Sequence, residues 1–469
     1  MVGGSSRAAQ IIEELGALGV VVRQVNSPEA VTDPTTVGLL DLSALDGFQV
    51  SADAAVDRVQ ATLELARAVD ARPEQISVVV VTSVDGRHGF AGGELVADAP
   101  IQATGVGFWK GAAKEWRRHR VRCVDVASTV EASAIARHVS SELAGAIPGD
   151  ELEHGLDSEG LWAIRLESHA VSGDTELAAD AVVLAVGGAQ GIGADILAGA
   201  VAGPGRTIVI AGRTDPAVTE ESAALSAATT EAEIRDVLIA EVRAAGDRPK
   251  PVEIERSLRR LLSERRVRAT VSQLTGLGAN VEYHSLDGRD AAALVALVAS
   301  TIERYGRLDL VLHAAGVIAD APVTRKDDES MERVLVTKVA PALALCDAVP
   351  DETTVLFFGS VAGRLGNASQ SDYGAANEFL AKLAASRRSV GADVRCLAWG
   401  PWDSGMVSSG LIAAYDALGI VPIAVTAGVE AFARELTDSP GRAEVVLANS
   451  TDVMAGLRWP PSAATILGS

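Results

Sequence analysis

The chain has 469 residues, 48% hydrophobic and 22% charged, enough apolar material for two or three domain cores and too much for extended disorder. With 41 Lys and Arg against 62 Asp and Glu, its net charge of −21 repels phosphate backbones and anionic lipid, which argues against nucleic acid or a membrane as partner. Cys123, Cys346 and Cys396 lie far apart without pairing or metal-ligand spacing, and Cys346 and Cys396 have the apolar surroundings of buried thiols. A reducing cytoplasm is the expected compartment, with no metal. The most apolar stretch, from Asp180 to Gly205, is interrupted by Gln190, Asp195 and glycines, short of a spanning helix, and the N-terminus lacks the pattern of a signal peptide.

In chain order, the first part alternates helices and short β-branched runs. Helices are expected at Ser6 to Leu18, Ala52 to Val69, Gly105 to Arg118 and Ala132 to Leu143. Strands are expected at Gly19 to Arg23, Val37 to Asp41, Ile76 to Thr82, Val121 to Val126 and Leu161 to Leu166. After a polar junction between Glu167 and Asp180 the rhythm restarts, with strands at Val182 to Val186, Thr207 to Ala211, Val281 to Ser285, Leu308 to His313, Thr354 to Phe358 and Val394 to Ala398. The fold class is therefore α/β, two tandem Rossmann-like doubly wound domains, residues 1–172 and 173–469, each a parallel sheet covered on both faces. Between Thr214 and Ala279 lies an insertion with an acidic stretch and then a helix bearing Arg256, Arg259, Arg260, Arg265, Arg266 and Arg268. A solvated helix explains these arginines; a docking face for an acidic partner is the alternative. The tail from Thr451 to Ser469, with Pro460 and Pro461, has the composition of a linker.

The strand at Val182 runs into Gly187, Gly188, Ala189, Gln190, Gly191, Ile192 and Gly193, followed by a helical pattern. Absent side chains let backbone approach a pyrophosphate, and the helix start favours its charge. The GxxxGxG spacing resembles the fingerprint of short-chain dehydrogenase/reductases, which usually have Thr where this chain has Val186. Arg213 follows the next strand, at the position that reads the adenosine ribose. A cation there suits a 2′-phosphate, so NADPH is the expected cofactor. By position in that family, Asp287 contacts the adenine amino group, and His313, Ala314, Ala315 and Gly316 resemble the element that floors the cofactor; His313 itself reads as structural. The first domain has no tyrosine and no such turn in its Gly86 to Gly93 segment, so it reads as a cofactor-free structural buttress.

The four tyrosines, Tyr283, Tyr305, Tyr373 and Tyr415, all belong to the second part, so any phenol chemistry does too. Ser360 ends an apolar strand, and Tyr373 follows in Tyr373-Gly374-Ala375-Ala376-Asn377. Ketone reduction needs hydride on carbon and a proton on the developing alkoxide, which a phenol beside a cation can supply. The reductase family places lysine one turn after its tyrosine; here that slot holds Asn377, while Lys338 occupies an earlier helix where the family has asparagine. That exchange resembles the ketoreductase domains of type I polyketide synthases, and, given the insertion after Arg213, more those of polyunsaturated-fatty-acid and enediyne-type synthases. Trp399-Gly400-Pro401-Trp402, with Gly405-Met406, resembles the family loop that places Pro401 beside the nicotinamide and leads Met406 into a substrate lid. Gly107 to Trp116 resembles the preceding structural subdomain.

The resemblance implies Tyr373 as general acid, Ser360 bonding the ketone oxygen, Lys338 acidifying the phenol and Asn377 completing a proton relay. It implies a β-ketoacyl substrate tethered by phosphopantetheine to an acyl carrier protein, among neighbouring synthase domains. Ile318-Ala319-Asp320 keeps the last residue of a Leu-Asp-Asp motif tied to D (3R) products, and Leu365 stands where the opposite type has tryptophan, so a D-configured hydroxyl is expected. A free-standing reductase of small ketones and an inactive structural or docking module are the competing readings.

Overall fold

The computed structural model describes residues 5–23, 28–147, 149, 151–168, 177–216, 221–404, 420–437 and 442–449. Its first sheet has the order β1 (Gly38–Asp41), β2 (Ser77–Thr82), β3 (Arg120–Val126), β4 (Glu153–Asp157) and β5 (Gly160–Ala163). The first four strands are parallel. Period-2 alternation divides the apolar residues between two faces. Val79, Val81, Val124 and Val126 meet Ile11 and Leu15 of α1 (Ser6–Ala17) and Ile135 and Val139 of α4 (Ala132–Leu143). Val78, Val80 and Val121 turn the other way, onto Val59 and Leu63 of α2 (Ala52–Asp70) and Val106 and Phe108 of α3 (Ala99–Glu115).

Three expectations here need correction. Gly19 to Arg23 forms no strand: Gly19, at φ 82°, ends the first helix, and Val20 and Val22 pack on the core as irregular chain. The run expected from Leu161 is the short β5, antiparallel to β4, so the sheet is mixed. Its partner β4, with the sequence Glu-His-Gly-Leu-Asp, lacks the apolar signature of a strand because its polar side chains are paired inside the protein. The helix expected from Gly105 already starts at Ala99, with proline in its first turn.

The second sheet contains seven parallel strands: β6 (Val182–Val186), β7 (Thr207–Gly212), β8 (Asn280–Ser285), β9 (Leu310–His313), β10 (Thr354–Ser360), β11 (Val394–Trp399) and β12 (Glu444–Leu447). Their order is β12-β11-β10-β9-β6-β7-β8. The direction of winding reverses between β6 and β9, which opens a crevice at the carboxyl ends of these strands. One face carries α9 (Ala291–Tyr305), α10 (Asp328–Ala348) and α12 (Ser371–Ser389), with Leu294, Val298, Val339 and Phe379 against Leu184 and Val355. The other face carries α5 (Gly191–Ile196) and α8 (Pro251–Gly276), with Val267 and Leu274 against Val183 and Ile208, and a last helix, α13 (Val425–Thr437), with Phe432. The insertion contributes α6 (Ala223–Ala227) and α7 (Glu231–Ala244) before α8, and α11 (Val361–Leu365) follows β10.

Helix α3 of the first half lies directly on α12 of the second. A Cβ at Gly107 would sit 2.6 Å from the Gly374 carbonyl, and one at Gly111 2.6 Å from Ser371 Cα, so only glycine permits this approach. Beside it, three cations and three carboxylates are buried together. Lys110 reaches Glu153 at 3.2 Å and Glu378 at 3.0 Å; Arg364 reaches Glu153, Glu378 at 3.4 Å and Glu444 at 3.2 Å; Lys382 reaches Glu378 at 3.2 Å and Glu444 at 3.6 Å. Burial opposes every one of these charges, but Arg364 and Lys110 outweigh it and draw Glu153 down to about 2. Such a cluster adds little net stability when complete, whereas removing one member leaves an uncompensated buried charge. Lys110→Met is therefore expected to lose about 3 to 5 kcal/mol in urea unfolding, a loss that an exposed lysine would not produce. Because Glu153 is held below its ordinary value, the stability it adds is complete near neutrality and is lost as pH falls toward about 2.

Candidate active site

The crevice is built from strand ends. After β6, Gly187 adopts φ 85°, and a Cβ there would lie 2.7 Å from the Ala315 amide nitrogen, so glycine is required by both conformation and space. A Cβ at Gly193 would lie 3.0 Å from the Gly187 carbonyl, and one at Gly188 would meet Leu197 at 2.7 Å. Gln190 is the extended N-cap of α5 and no side chain caps that helix, so Gly191 and Ile192 begin it with amides directed to the crevice. Gln190 instead turns its amide to Ser263 Oγ of α8, at 2.7 Å. Ala314 and Gly316 leave β9 alongside the turn. Exposed Arg213 follows β7, and Asp287 follows β8, where its hydrogen bonds from Arg289 hold it below the usual carboxylate range with a smaller contribution from Arg213. Pro401 is half-buried after β11, its carbonyl accepting from the Ile423 amide at 2.7 Å.

The first sheet ends quite differently. The amides of Val84, Gly86 and His88 donate to the Asp125 carboxylate at 2.7, 2.7 and 3.0 Å, so a carboxylate of the chain itself occupies the loop that follows β2. The half-buried His138 and the buried Glu142 and His154 lie close together, with Arg122 on the Glu142 carboxylate at 3.1 Å, a neighbour that disfavours a metal cation.

On the opposite wall, Lys338 of α10 and Tyr373 of α12 converge, the ammonium lying 5.5 Å from the ring centroid. Lys338 Nζ donates to the Phe358 carbonyl at 2.8 Å, two residues before Ser360. Its side chain is buried beside Gly316, and burial pushes its pKa down to about 8. Asn377, one turn after Tyr373, donates to the Tyr373 carbonyl at 2.7 Å, and its buried Oδ1 finds no protein partner among the described residues. Ser360 caps α11 by accepting from the Ala362 amide at 3.2 Å, which leaves its own hydroxyl proton to donate. His313 is fully buried, pairs with the Lys338 carbonyl at 2.9 Å and is pushed down to about 3 by burial, then by Lys338; it is a neutral structural group.

The loop before Tyr373 is held from several sides. Asp320 accepts from the Gln370 amide at 3.0 and 3.1 Å. Lys326 is fully buried on Asp372 at 2.8 Å, and Asp372 also accepts from the Tyr373 amide at 2.8 Å. Glu115 of the first half accepts from Val323 and Ser369 at 2.9 and 3.0 Å. Sequence reasoning missed Lys326 and Glu115, because their partners come from distant parts of the chain. Leu365 is buried at the end of α11, while Met406 and Tyr415 lie outside the described residues. Of the insertion arginines, Arg265 and Arg268 both bind Glu221, and Arg256, Arg259, Arg260 and Arg266 are exposed.

A glycine turn in a 3-2-1-4-5-6-type parallel sheet, facing a lysine and a tyrosine across the crevice, defines a dinucleotide-fold reductase of the short-chain class. Residues 254–404 match the family model of the KR domain. A polyunsaturated fatty acid synthase from Thraustochytrium sp. is 30% identical over 79% of this chain, and polyketide synthase GfsA of Streptomyces halstedii 28% over 76%. The chain spans 14% of the first relative and 4% of the second. A solved A1-type ketoreductase has the same fold, with a TM-score of 0.72 at 21% identity over 99% of this chain and 90% of that one. By its family-model match, its relatives and its fold, the chain is similar to the ketoreductase domains of type I polyketide synthases. Among the described residues no helix is long and apolar enough to cross a membrane.

A lysine without a carboxylate partner should titrate low. Carbon-13-labelled lysine observed by NMR is expected to give Lys338 a midpoint near about 8, and an ordinary midpoint would mean that its pocket is wet.

Proposed function

We propose that the chain reduces a β-ketoacyl thioester, presented on the phosphopantetheine of an acyl carrier protein by neighbouring synthase domains, to a D-configured (3R) β-hydroxyacyl product, with NADPH as reductant. Residues 1–172 serve as the structural half and 173–469 as the catalytic half. The observation that carries this reading is the desolvated Lys338 ammonium 5.5 Å from the Tyr373 ring.

The residues present fit the cofactor. Side chains at Gly187 and Gly193 would strike backbone, the start of α5 is uncapped, and a cation stands at Arg213. Gly187, Gly188, Gln190, Gly191, Ile192 and Gly193 would receive the pyrophosphate, Arg213 the 2′-phosphate, Asp287 the adenine, Ala314 and Gly316 the nicotinamide ribose side, and Pro401 the nicotinamide. When bound, NADPH supplies the hydride for the ketone carbon. Ser360 Oγ donates to the ketone oxygen and polarises it. Tyr373 gives its phenolic proton to the oxygen as charge develops there. Lys338 lowers the energy of the phenolate left behind, an effect magnified because among the described residues no carboxylate competes for it and its side chain is buried. The open Asn377 Oδ1 suits a water that returns the proton. Asp320, fixed by Gln370, and Leu365 shape the approach from which the D product follows.

Tyr373→Phe is expected to abolish NADPH oxidation with a β-ketoacyl thioester while NADPH fluorescence still reports binding; a variant as active as the parent refutes the proton donor. The ammonium is lost as pH rises through about 8, so kcat should fall on that side, and Lys338→Met should lower kcat and flatten the limb. Chiral chromatography of the hydroxyacyl product is expected to give the 3R enantiomer.

A further inference from the structure

Helix α8 reaches past the edge of the sheet, and one stripe of it runs the whole way. In its C-terminal half the stripe is Ser263, Val267, Thr270 and Leu274, at the spacing that keeps residues on one helix face. Val267 and Leu274 are buried on the sheet, and Thr270 donates to the Ala189 carbonyl in the glycine turn at 2.9 Å. Ser263 meets Gln190 of that turn at 2.7 Å and also Thr214, the residue after Arg213, at 2.7 Å.

Continued toward the N-terminus by the same spacing, the stripe becomes Arg260, Arg259 and Arg256, all exposed. At ~1.5 Å of rise per residue, Arg259 and Arg260 stand only about one helical turn above Ser263. The opposite face is occupied: Leu258 and Leu261 are buried against Leu225 and Ile234 of α6 and α7. The insertion therefore holds the helix from behind, and by helix spacing the arginine stripe continues about one turn beyond the Ser263–Thr214 contact next to Arg213. Protein compensation on this stripe is slight. Arg260 lies 3.6 Å from Glu264, and Arg259 donates to the Glu255 carbonyl at 3.2 Å, whereas the off-stripe Arg265 and Arg268 are both locked to Glu221. Like charges one turn apart repel, so the arrangement calls for an anion with more than one charge.

We infer that Arg259 and Arg260 join Arg213 in holding the 2′-phosphate of the cofactor, which makes the insertion a device for selecting NADPH over NADH. This rests on the cofactor reading given above. Guanidinium groups suit the task because each offers paired donors to phosphate oxygens and keeps its charge at any working pH.

Calorimetric titration of the full chain with 2′,5′-ADP and with ADP tests the inference without turnover. Relative to the parent, the double variant Arg259→Ala/Arg260→Ala is expected to bind 2′,5′-ADP about tenfold or more weakly and ADP within about twofold, with Arg259→Lys/Arg260→Lys between them. A double variant that binds 2′,5′-ADP as the parent does overturns the assignment, and if it then loses only affinity for the acyl carrier protein, the stripe is a docking face instead. Equal losses for both ligands overturn it in favour of a general effect on the turn. A parent protein that does not prefer 2′,5′-ADP over ADP sinks the NADPH reading itself.

Discussion

The packing of α3 on α12 is the constraint on which the rest of the structure depends. Gly107 and Gly111 bring the two backbones nearly into contact at Gly374 and Ser371, and Tyr373 sits between those two contact points. Asn377 and Glu378 follow on the next turn, one at the crevice and the other in the buried charge cluster with Lys110 and Arg364. The helix that carries Tyr373 is thus located by the other half of the chain. A shift in this interface moves Tyr373 relative to Lys338, which comes from a different helix and is fixed by a different strand through the Phe358 carbonyl.

The six-charge cluster and Lys338 illustrate opposite consequences of low dielectric. In the cluster each ion has at least two partners of opposite sign, so burial is offset and the geometry is specified. Among the described residues Lys338 meets a carbonyl and a neighbouring phenol ring, and burial weakens its charge. The Phe90 ring lies against the cluster, 4.7 Å from the Lys382 ammonium and 5.6 Å from the Arg364 guanidinium.

The two halves repeat one architecture with different endings. After β2 the loop amides close on Asp125; after β6 the glycines keep the turn against the backbone of Ala315 and leave the start of α5 uncapped. One sheet end is satisfied internally, while the other leaves the start of α5 without a side-chain cap. The insertion adds a cationic edge to an otherwise acidic protein at that second sheet end.

Much of the site was legible in the sequence because its signals are local. The glycine turn, Arg213 after a strand, Ser360 at a strand end and the one-turn spacing of Tyr373 and Asn377 are each set by neighbours in the chain. Strands and helices with period-2 or helical apolar patterning were legible for the same reason, although β4 and β12 were not, since glutamates occupy buried positions in both. Only the tertiary structure could decide that Lys110, Glu153, Arg364, Glu378, Lys382 and Glu444 form one neutral cluster, that Glu115 and Lys326 brace the loop before Tyr373, and that Ser263 of α8 meets Thr214 beside Arg213. A charged residue in a sequence declares its sign but not its partners. Its environment depends on which distant segments the sheet topology brings beside it, and that environment decides whether the charge stabilises the fold, faces solvent or acts on a substrate.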